Sequence, residues 1–231
     1  LMHGRALAGV RPRDAAQVSA VARLCHETAT PIVPQGGNTD MAMAATPPPD
    51  GKAILLSLSR MKAIRSLDPV AMTMEVEAGC VLRVAKDAAE AQNRFLPVTI
   101  GAEGSAQIGG IVSTNAGGVN VLRYGMTRAA VLGLEVVLAD GTILSGLRRL
   151  RKDNAGYDWK QLFIGAEGTL GMVTAAVMRL SPKPRHTVSA FIGVESAESA
   201  LTLLALAQDE LGDALSVFEL IASSCLVLVE K

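Results

Sequence analysis

The chain has 231 residues, 49% of them hydrophobic, and its 22 basic side chains are balanced by 22 acidic ones, which excludes the broad basic face that a nucleic-acid binder needs. Length and apolar content allow one large domain, or one domain and part of another, around a substantial core. Three widely spaced cysteines, Cys25, Cys80 and Cys225, include no C-x-x-C pair, so a disulfide framework or zinc cluster gives way to free, buried thiols in a reducing compartment.

In chain order, Asp14 stands ahead of "AAQVSAVARLCHET", where Val18, Val21, Ala22 and Cys25 recur at helical spacing; a capped amphipathic helix is predicted. "TPIVPQGGNT" reads as a very short strand running into a glycine turn, and "TPPPDG" at 46–51 as an exposed loop. "KAILLSL", "MKAIRSLD" and "MTMEVEAG" have strand character, and "VLRVAKDAAEAQN" reads as a second helix. "VLGLEVVLADGTIL" joins two apolar runs through Asp140-Gly141, which predicts a tight hairpin. "FIGAEGTLGMVTAAVMRLSP" is a glycine turn feeding a strand that ends at Pro182. From Arg185 the texture changes to a strand "TVSAFIGV", an Ala/Leu helix from about Ser196 to Leu211, a strand "ALSVFEL" and the start of a helix. The predicted division is therefore 1–183 and 184–231, the second part being an incomplete α+β unit. No early apolar run reads as a signal peptide, and no uncharged stretch reaches the roughly 18 residues of a spanning helix. A cytoplasmic protein is expected, with peripheral membrane association or an organelle as alternatives.

Three glycine-rich stretches ask for an explanation: "PQGGNT" at 34–39, "GAEGSAQIGGIVSTNAGG" at 101–118 and "GAEGTLG" at 165–171. Glycine lets backbone N–H groups converge on one concavity, which can cradle phosphate oxygens without a lysine. Any one stretch alone is more often a simple turn; three together predict an elongated, anionic ligand lying across the backbone. Neither G-x-G-x-x-G after a strand nor G-x-x-x-x-G-K-[ST] occurs, so the residues by themselves do not name the ligand.

The ordered set "PIVPQGGNT", "GAEGSAQIGGIVSTNAGG", "LRYG", "VLGLEVVLADG", "LRKDNAGYDWKQLFIGAEGTLGMVT" and "VFEL" resembles the flavin-binding half of the FAD-linked oxidases related to vanillyl-alcohol oxidase and p-cresol methylhydroxylase (PCMH). Within that group it is most similar to the branch of D-2-hydroxyglutarate dehydrogenases, glycolate oxidase subunits and D-lactate dehydrogenases. The resemblance implies an α+β fold: a PCMH-type FAD-binding domain of two α/β subdomains, followed by the beginning of a substrate or cap domain. It places Pro34, Gln35, Gly36, Gly37, Asn38 and Thr39 around the FAD diphosphate. Gly101, Gly104, Ser105, Gly109, Gly110, Thr114, Asn115, Gly117 and Gly118 would run along the cofactor, with Glu167, Gly168, Gly171 and Val173 at its adenosine end. The FAD is expected to be noncovalent, since the matched loops offer no Cys or His as a tether; Cys80 and His3 are the nearest exceptions. A divalent metal is expected only in the C-terminal part that relatives carry beyond this stretch, and none within it.

The implied activity is oxidation of a D-2-hydroxy acid such as D-lactate, glycolate or D-2-hydroxyglutarate to the 2-oxo acid, with electrons passing to a quinone, an electron-transfer flavoprotein or another protein. A homodimer is compatible with the resemblance; nucleic acid and a transmembrane segment are not expected. The alternative is a non-catalytic FAD-binding subunit or interaction module of a multi-subunit oxidase. The base is unassigned, because His3, His26 and His186 adjoin no cofactor motif. Arg123 and Tyr124 follow the glycine run as candidates for the substrate side, or equally as a hydrogen-bonding pair beneath a turn. Asp40, where relatives commonly have a small residue, puts a carboxylate next to the diphosphate loop and is expected to point outward. Trp159 and Phe163 read as core, and Asp153, Asn154 and Asp158 as turn and cap residues.

Overall fold

The computed structural model describes residues 3–229. A first unit holds β1 (Ala8–Val10), α1 (Ala15–Glu27), β2 (Ile32–Gln35) and β3 (Ile54–Ser57). Its three strands are parallel in the order β1-β3-β2, and α1 makes the crossover that parallel strands require. The helix starts where the sequence says it should, since Gln17 N donates to Asp14 Oδ1 at 2.8 Å. Its buried face of Val18, Ser19, Ala22 and Cys25 includes Val18 and Ala22 of a small core shared with Leu56, Leu58 and Met61 and with Ala78, Val137 and Met172 further along the chain.

The second unit is built on an antiparallel sheet of β4 (Ile64–Asp68), β5 (Thr73–Glu77), β7 (Val131–Val137), β8 (Ile143–Gly146) and β9 (Met172–Arg179), ordered β4-β5-β9-β7-β8. Against it lie α2 (Leu82–Ala91) and α3 (Ile108–Ser113), with three one-turn helices, α4 (Val121–Tyr124), α5 (Thr127–Ala130) and α6 (Lys160–Phe163), nearby. Alternation along β5 sends Met74 and Val76 into this larger core with Leu134, Met178 and Leu180, all fully buried; each such side chain contributes roughly 1.5–3 kcal/mol. Glu75 and Glu77 point the other way and meet Arg65, which also reaches Glu135. β9 is central and buried from Met172 to Met178, which explains a run that is apolar except for Thr174, whose hydroxyl donates to Glu135 Oε1 at 2.9 Å.

The Asp140-Gly141 hairpin forms with a three-residue loop. Leu138 N pairs with Thr142 O, Gly141 N returns to Leu138 O, and only Gly141 takes a left-handed φ, +86°, the pattern of a turn followed by a glycine bulge. Ser19 Oγ of α1 donates to Gly141 O at 2.5 Å, so the tip of this hairpin joins the two units.

Three expectations are corrected. The strand at β9 ends at Arg179, and Ser181–Pro182 (β10) pairs instead with β6 (Arg94–Phe95). Residues 187–194 and 214–220 form no strands; every residue from Pro182 to Ser199 is exposed, and apolar alternation without a neighbouring edge cannot close a ladder. The helix between them does form, as α7 (Ala197–Leu211), followed by α8 (Ser223–Val229), although Ala200 is the one residue of α7 that is buried. Cys25 and Cys80 are buried as expected, whereas Cys225 is exposed.

Candidate cofactor site

A cavity of about 440 Å³ lies where the two units meet, a size typical of cofactor and small-ligand sites at roughly 300–1,000 Å³. One wall is the C-terminal end of β2 and the loop after it, Pro34 to Ala45; the opposite wall is α3 with Ala106 and Gln107 before it; Glu167, Gly168, Met172 and Val173 close the third side. Among the described residues no Lys, Arg or His lines it, and its titratable groups are Asp40 and Glu167. An anion entering here meets backbone donors rather than side-chain cations. Among the described residues the N–H groups of Gly37, Asn38 and Thr39 find no protein acceptor.

The glycines of the wall fall into two kinds. A Cβ on Gly36 would stand in ordinary contact with Gln107 Cβ and Oε1 at 3.6 Å and Gly110 N at 3.8 Å, and one on Gly110 would meet nothing within 4 Å. A side chain is thus tolerated at Gly36, and at Gly110 its absence leaves open space. Gly37 differs, because a Cβ there would run into the carbonyl oxygen of Ser105, and Gly109 lies 2.6 Å from Ala78 Cβ by the same measure. These two are required for the loop after β2, α3 and the end of β5 to lie flat on one another. Gly168 has φ +79° and sits against Pro34; beside it Glu167, also left-handed at φ +52°, donates its N–H to Ser113 O at 2.8 Å.

Of the residues expected from the sequence, Pro34, Gln35, Gly36, Gly37, Asn38, Thr39, Gly109, Gly110, Thr114, Glu167, Gly168 and Val173 come together on the cavity wall. Gly101, Gly104, Ser105, Asn115, Gly117, Gly118 and Gly171 do not. Asn115 Oδ1 accepts from Arg128 N at 2.9 Å, Gly117 is covered by Met126, Gly118 by the Thr99 carbonyl and Gly171 by Val136. Arg123 and Tyr124 also stand off the wall. The Arg123 guanidinium lies 5.0 Å from the centre of the Tyr124 ring, which packs on Phe95 at 5.6 Å, and Arg123 Nη1 donates to Ser216 Oγ at 3.3 Å. In this geometry they are a packing pair. Asp40 is turned into its own loop, its Oδ2 accepting from Ala44 N at 2.6 Å. His26 and His186 are exposed and away from the cavity. Trp159 and Phe163 form an edge-to-face pair at 5.8 Å, and Asp153 and Asp158 serve the turn, accepting from Ala155 N and Gln161 Nε2.

The sequence reading passed over two features. Gln107 lines the cavity, is 9% exposed, and its Oε1 is buried without a hydrogen-bond partner. Its signal was faint: it holds the N-cap position of α3 without capping it, where Ser, Thr, Asp or Asn would be usual. The other is Lys86, 8% exposed, whose Nζ donates to Glu103 Oε1 at 2.6 Å and to Thr99 Oγ1 at 3.4 Å. Asn120 Nδ2 also donates to Thr99 Oγ1, at 2.8 Å, so the 99–104 segment beside Ile100 of the cavity is tied down from two sides. Cys80 is not reactive: burial, assisted by Glu77, pushes its thiol up to about 11.

Comparison with known proteins decides the family. A family model described as FAD binding domain matches residues 6–146, more than half of the chain. The chain belongs to this FAD-binding family. It is 46% identical over 220 residues to the mitochondrial D-2-hydroxyglutarate dehydrogenase of Bos taurus, covering 95% of this chain and 40% of that protein. It is 44% identical over 208 residues to a D-2-hydroxyglutarate–pyruvate transhydrogenase of Saccharomyces cerevisiae, covering 90% of this chain and 42% of the relative. The chain thus spans about two fifths of the length of the curated relatives it matches. A solved structure of alkyldihydroxyacetonephosphate synthase superimposes with a TM-score of 0.69 over 77% of this chain and 32% of its own, at 24% identity; it shares the PCMH-type fold. No described helix is long and apolar enough to cross a membrane.

Proposed function

We propose that this chain is the FAD-holding part of an oxidoreductase that converts a D-2-hydroxy acid, D-2-hydroxyglutarate first among the candidates, to the 2-oxo acid. The observation that carries the reading is the wall of the cavity. Gly110 leaves room for a ligand at van der Waals distance, and the N–H groups of Gly37, Asn38 and Thr39, unpaired among the described residues, suit a diphosphate. The substrate class rests on the two relatives named for D-2-hydroxyglutarate. FAD, when bound, supplies the acceptor for the hydride leaving the carbinol carbon. The chain's own residues would bind and orient it: 36–39 would hold the diphosphate, α3 would line its path, and the apolar Ile111, Met172 and Val173 would exclude water. Binding is noncovalent in this reading, since no Cys or His lies on the wall.

The proton acceptor, the group that orients the substrate carboxylate and any divalent metal are assigned to the part of the relatives that these residues do not span. The second partner is an electron acceptor: a quinone, an electron-transfer flavoprotein or another protein. The division near residue 183 and a reducing compartment complete the proposal; cytosol and the mitochondrial setting named for the Bos taurus relative both meet that last condition. One observation favours the cofactor-holding subunit as a second reading, namely that His26 and His186 stand away from the cavity. Both readings require a yellow protein that releases FAD on denaturation. Anaerobic addition of D- and L-2-hydroxy acids to the full-length protein separates them: bleaching by a D-acid supports the dehydrogenase, and bound flavin that no hydroxy acid bleaches supports the subunit. A bound nicotinamide nucleotide with no flavin overturns both.

A further inference from the structure

We propose that Gln107 is a cofactor-reading residue, its side-chain oxygen accepting a hydrogen bond from a hydroxyl or ring N–H of the bound flavin nucleotide. The inference rests on the reading of this cavity as the FAD site and names a contact within it. Gln107 is 9% exposed and its Oε1 is buried with no partner among the described residues. A buried carbonyl oxygen left unpaired is costly, and native proteins leave few of them. Gln107 lines the cavity, and its oxygen, itself closed to solvent, lies beside the bare α-carbon of Gly36, 3.6 Å from where a Cβ would stand, and one helical turn from Gly110, whose missing Cβ points into open space, so that rotation of the carboxamide presents the oxygen to the cavity. The backbone around it is already committed. Ile108 N donates to Cys80 O at 2.9 Å, Gly109 N to Ala78 O at 2.7 Å, and Ile111 N to Gln107 O at 3.0 Å. None of these uses the side chain, and the side chain caps no helix. A residue held that firmly with an acceptor that nothing satisfies is arranged for a donor that arrives with the ligand.

The chemistry fixes the class of donor. The unpaired N–H groups at 37–39 account for the anionic part of the ligand, and a carboxamide oxygen repels a phosphate oxygen. What remains on a flavin nucleotide is a sugar or ribityl hydroxyl or an N–H of a ring.

Two substitutions test this on the purified holoprotein and its flavin-stripped form, with FAD itself as the probe. Gln107→Met keeps length and volume and removes the acceptor. It should weaken FAD binding at least tenfold while the melting temperature of the stripped protein stays the same or rises, because an unsatisfied polar atom has left the interior. Gln107→Glu keeps the shape and strengthens the acceptor, so FAD affinity should stay within a few-fold of the parent. A merely structural role predicts a lower melting temperature for stripped Gln107→Met, and that result overturns the proposal. So does unchanged FAD affinity in Gln107→Met, or a collapse of affinity in Gln107→Glu greater than in Gln107→Met, which would place a phosphate at this oxygen. If the unmodified protein takes up no FAD, the reading of the cavity fails before Gln107 is in question.

Discussion

Gly36 and Gly37 are neighbours in one loop, yet a side chain would fare differently at each. The face of Gly36, on the cavity wall, would hold a Cβ in ordinary contact with Gln107, whereas that of Gly37 is closed by the Ser105 carbonyl. The same division runs through 101–118, where Gly110 opens onto the cavity, Gly118 is sealed by Thr99 O, and Gly101 and Gly104 meet nothing and do not line the wall. A glycine-rich motif is thus a mixture of positions that admit a ligand, positions that let one strand of backbone lie against another, and turns. The distance to the nearest atom separates the sealed positions from the open ones, and a place on the cavity wall separates Gly110 from the turn glycines.

Gly118→Ala should have the largest effect. The added methyl meets a carbonyl held in place by Asn120, which donates to both Thr99 Oγ1 and Pro97 O, so backbone must move. A loss on the order of 3 kcal/mol is expected for such overpacking, or about 6–12 °C in melting temperature for a chain of this size. Thermal unfolding of the flavin-stripped protein measures it. Gly37→Val belongs to the same class, and its loss of flavin would not distinguish a crowded diphosphate from a displaced Ser105. A stripped Gly118→Ala protein that melts with the parent would show that the 99–100 segment yields, and the comparison would lose its sealed half.

Gly110→Val is the complementary case. Its side chain enters open cavity, and valine is a better helix residue than glycine in α3, so the stripped protein should keep its stability to within about 1 kcal/mol. FAD affinity should fall at least tenfold, about 1.4 kcal/mol, because the space is the ligand's. Equilibrium titration of stripped protein with FAD, beside a melting curve, reads both numbers. Retained affinity would put the cofactor elsewhere.

Much of this fold could be read locally. Asp14 with Val18, Ala22 and Cys25 announces α1, and Asp140-Gly141 announces the β7–β8 hairpin, because caps and turns are decided by a few adjacent residues. Residues 187–194 and 214–220 have equal alternation and form no strand; a ladder needs an edge that sequence pattern does not supply. The glycine loop at 36–39, which the structure places on the cavity wall, was legible for the same local reason. Gln107 was not, since one carboxamide among small residues has no compositional mark, and its unpaired oxygen is created by the packing of Gly36 and α3 around it. Adjacency did not tell the two readings of Arg123 and Tyr124 apart: following the glycine run in sequence, they are carried off the cavity wall by α4 to Phe95 and Ser216.

Gly104→Ala should have the smallest effect and sharpens the comparison most economically. Its Cβ would meet nothing within 4 Å, its φ lies outside the left-handed region, and it does not line the cavity. Alanine there restricts the unfolded chain without straining the folded one, so stability should be unchanged or higher by about 0.4–1 kcal/mol. FAD affinity should match that of the parent. The neighbouring Glu103, fastened to Lys86, gives the turn no reason to shift when one methyl is added. A tenfold loss of FAD affinity in Gly104→Ala, with the melting temperature of the stripped protein intact, would mean that the 101–104 turn closes on the cofactor when it binds, and would extend the ligand-facing wall beyond α3 to the whole of the run expected from the sequence.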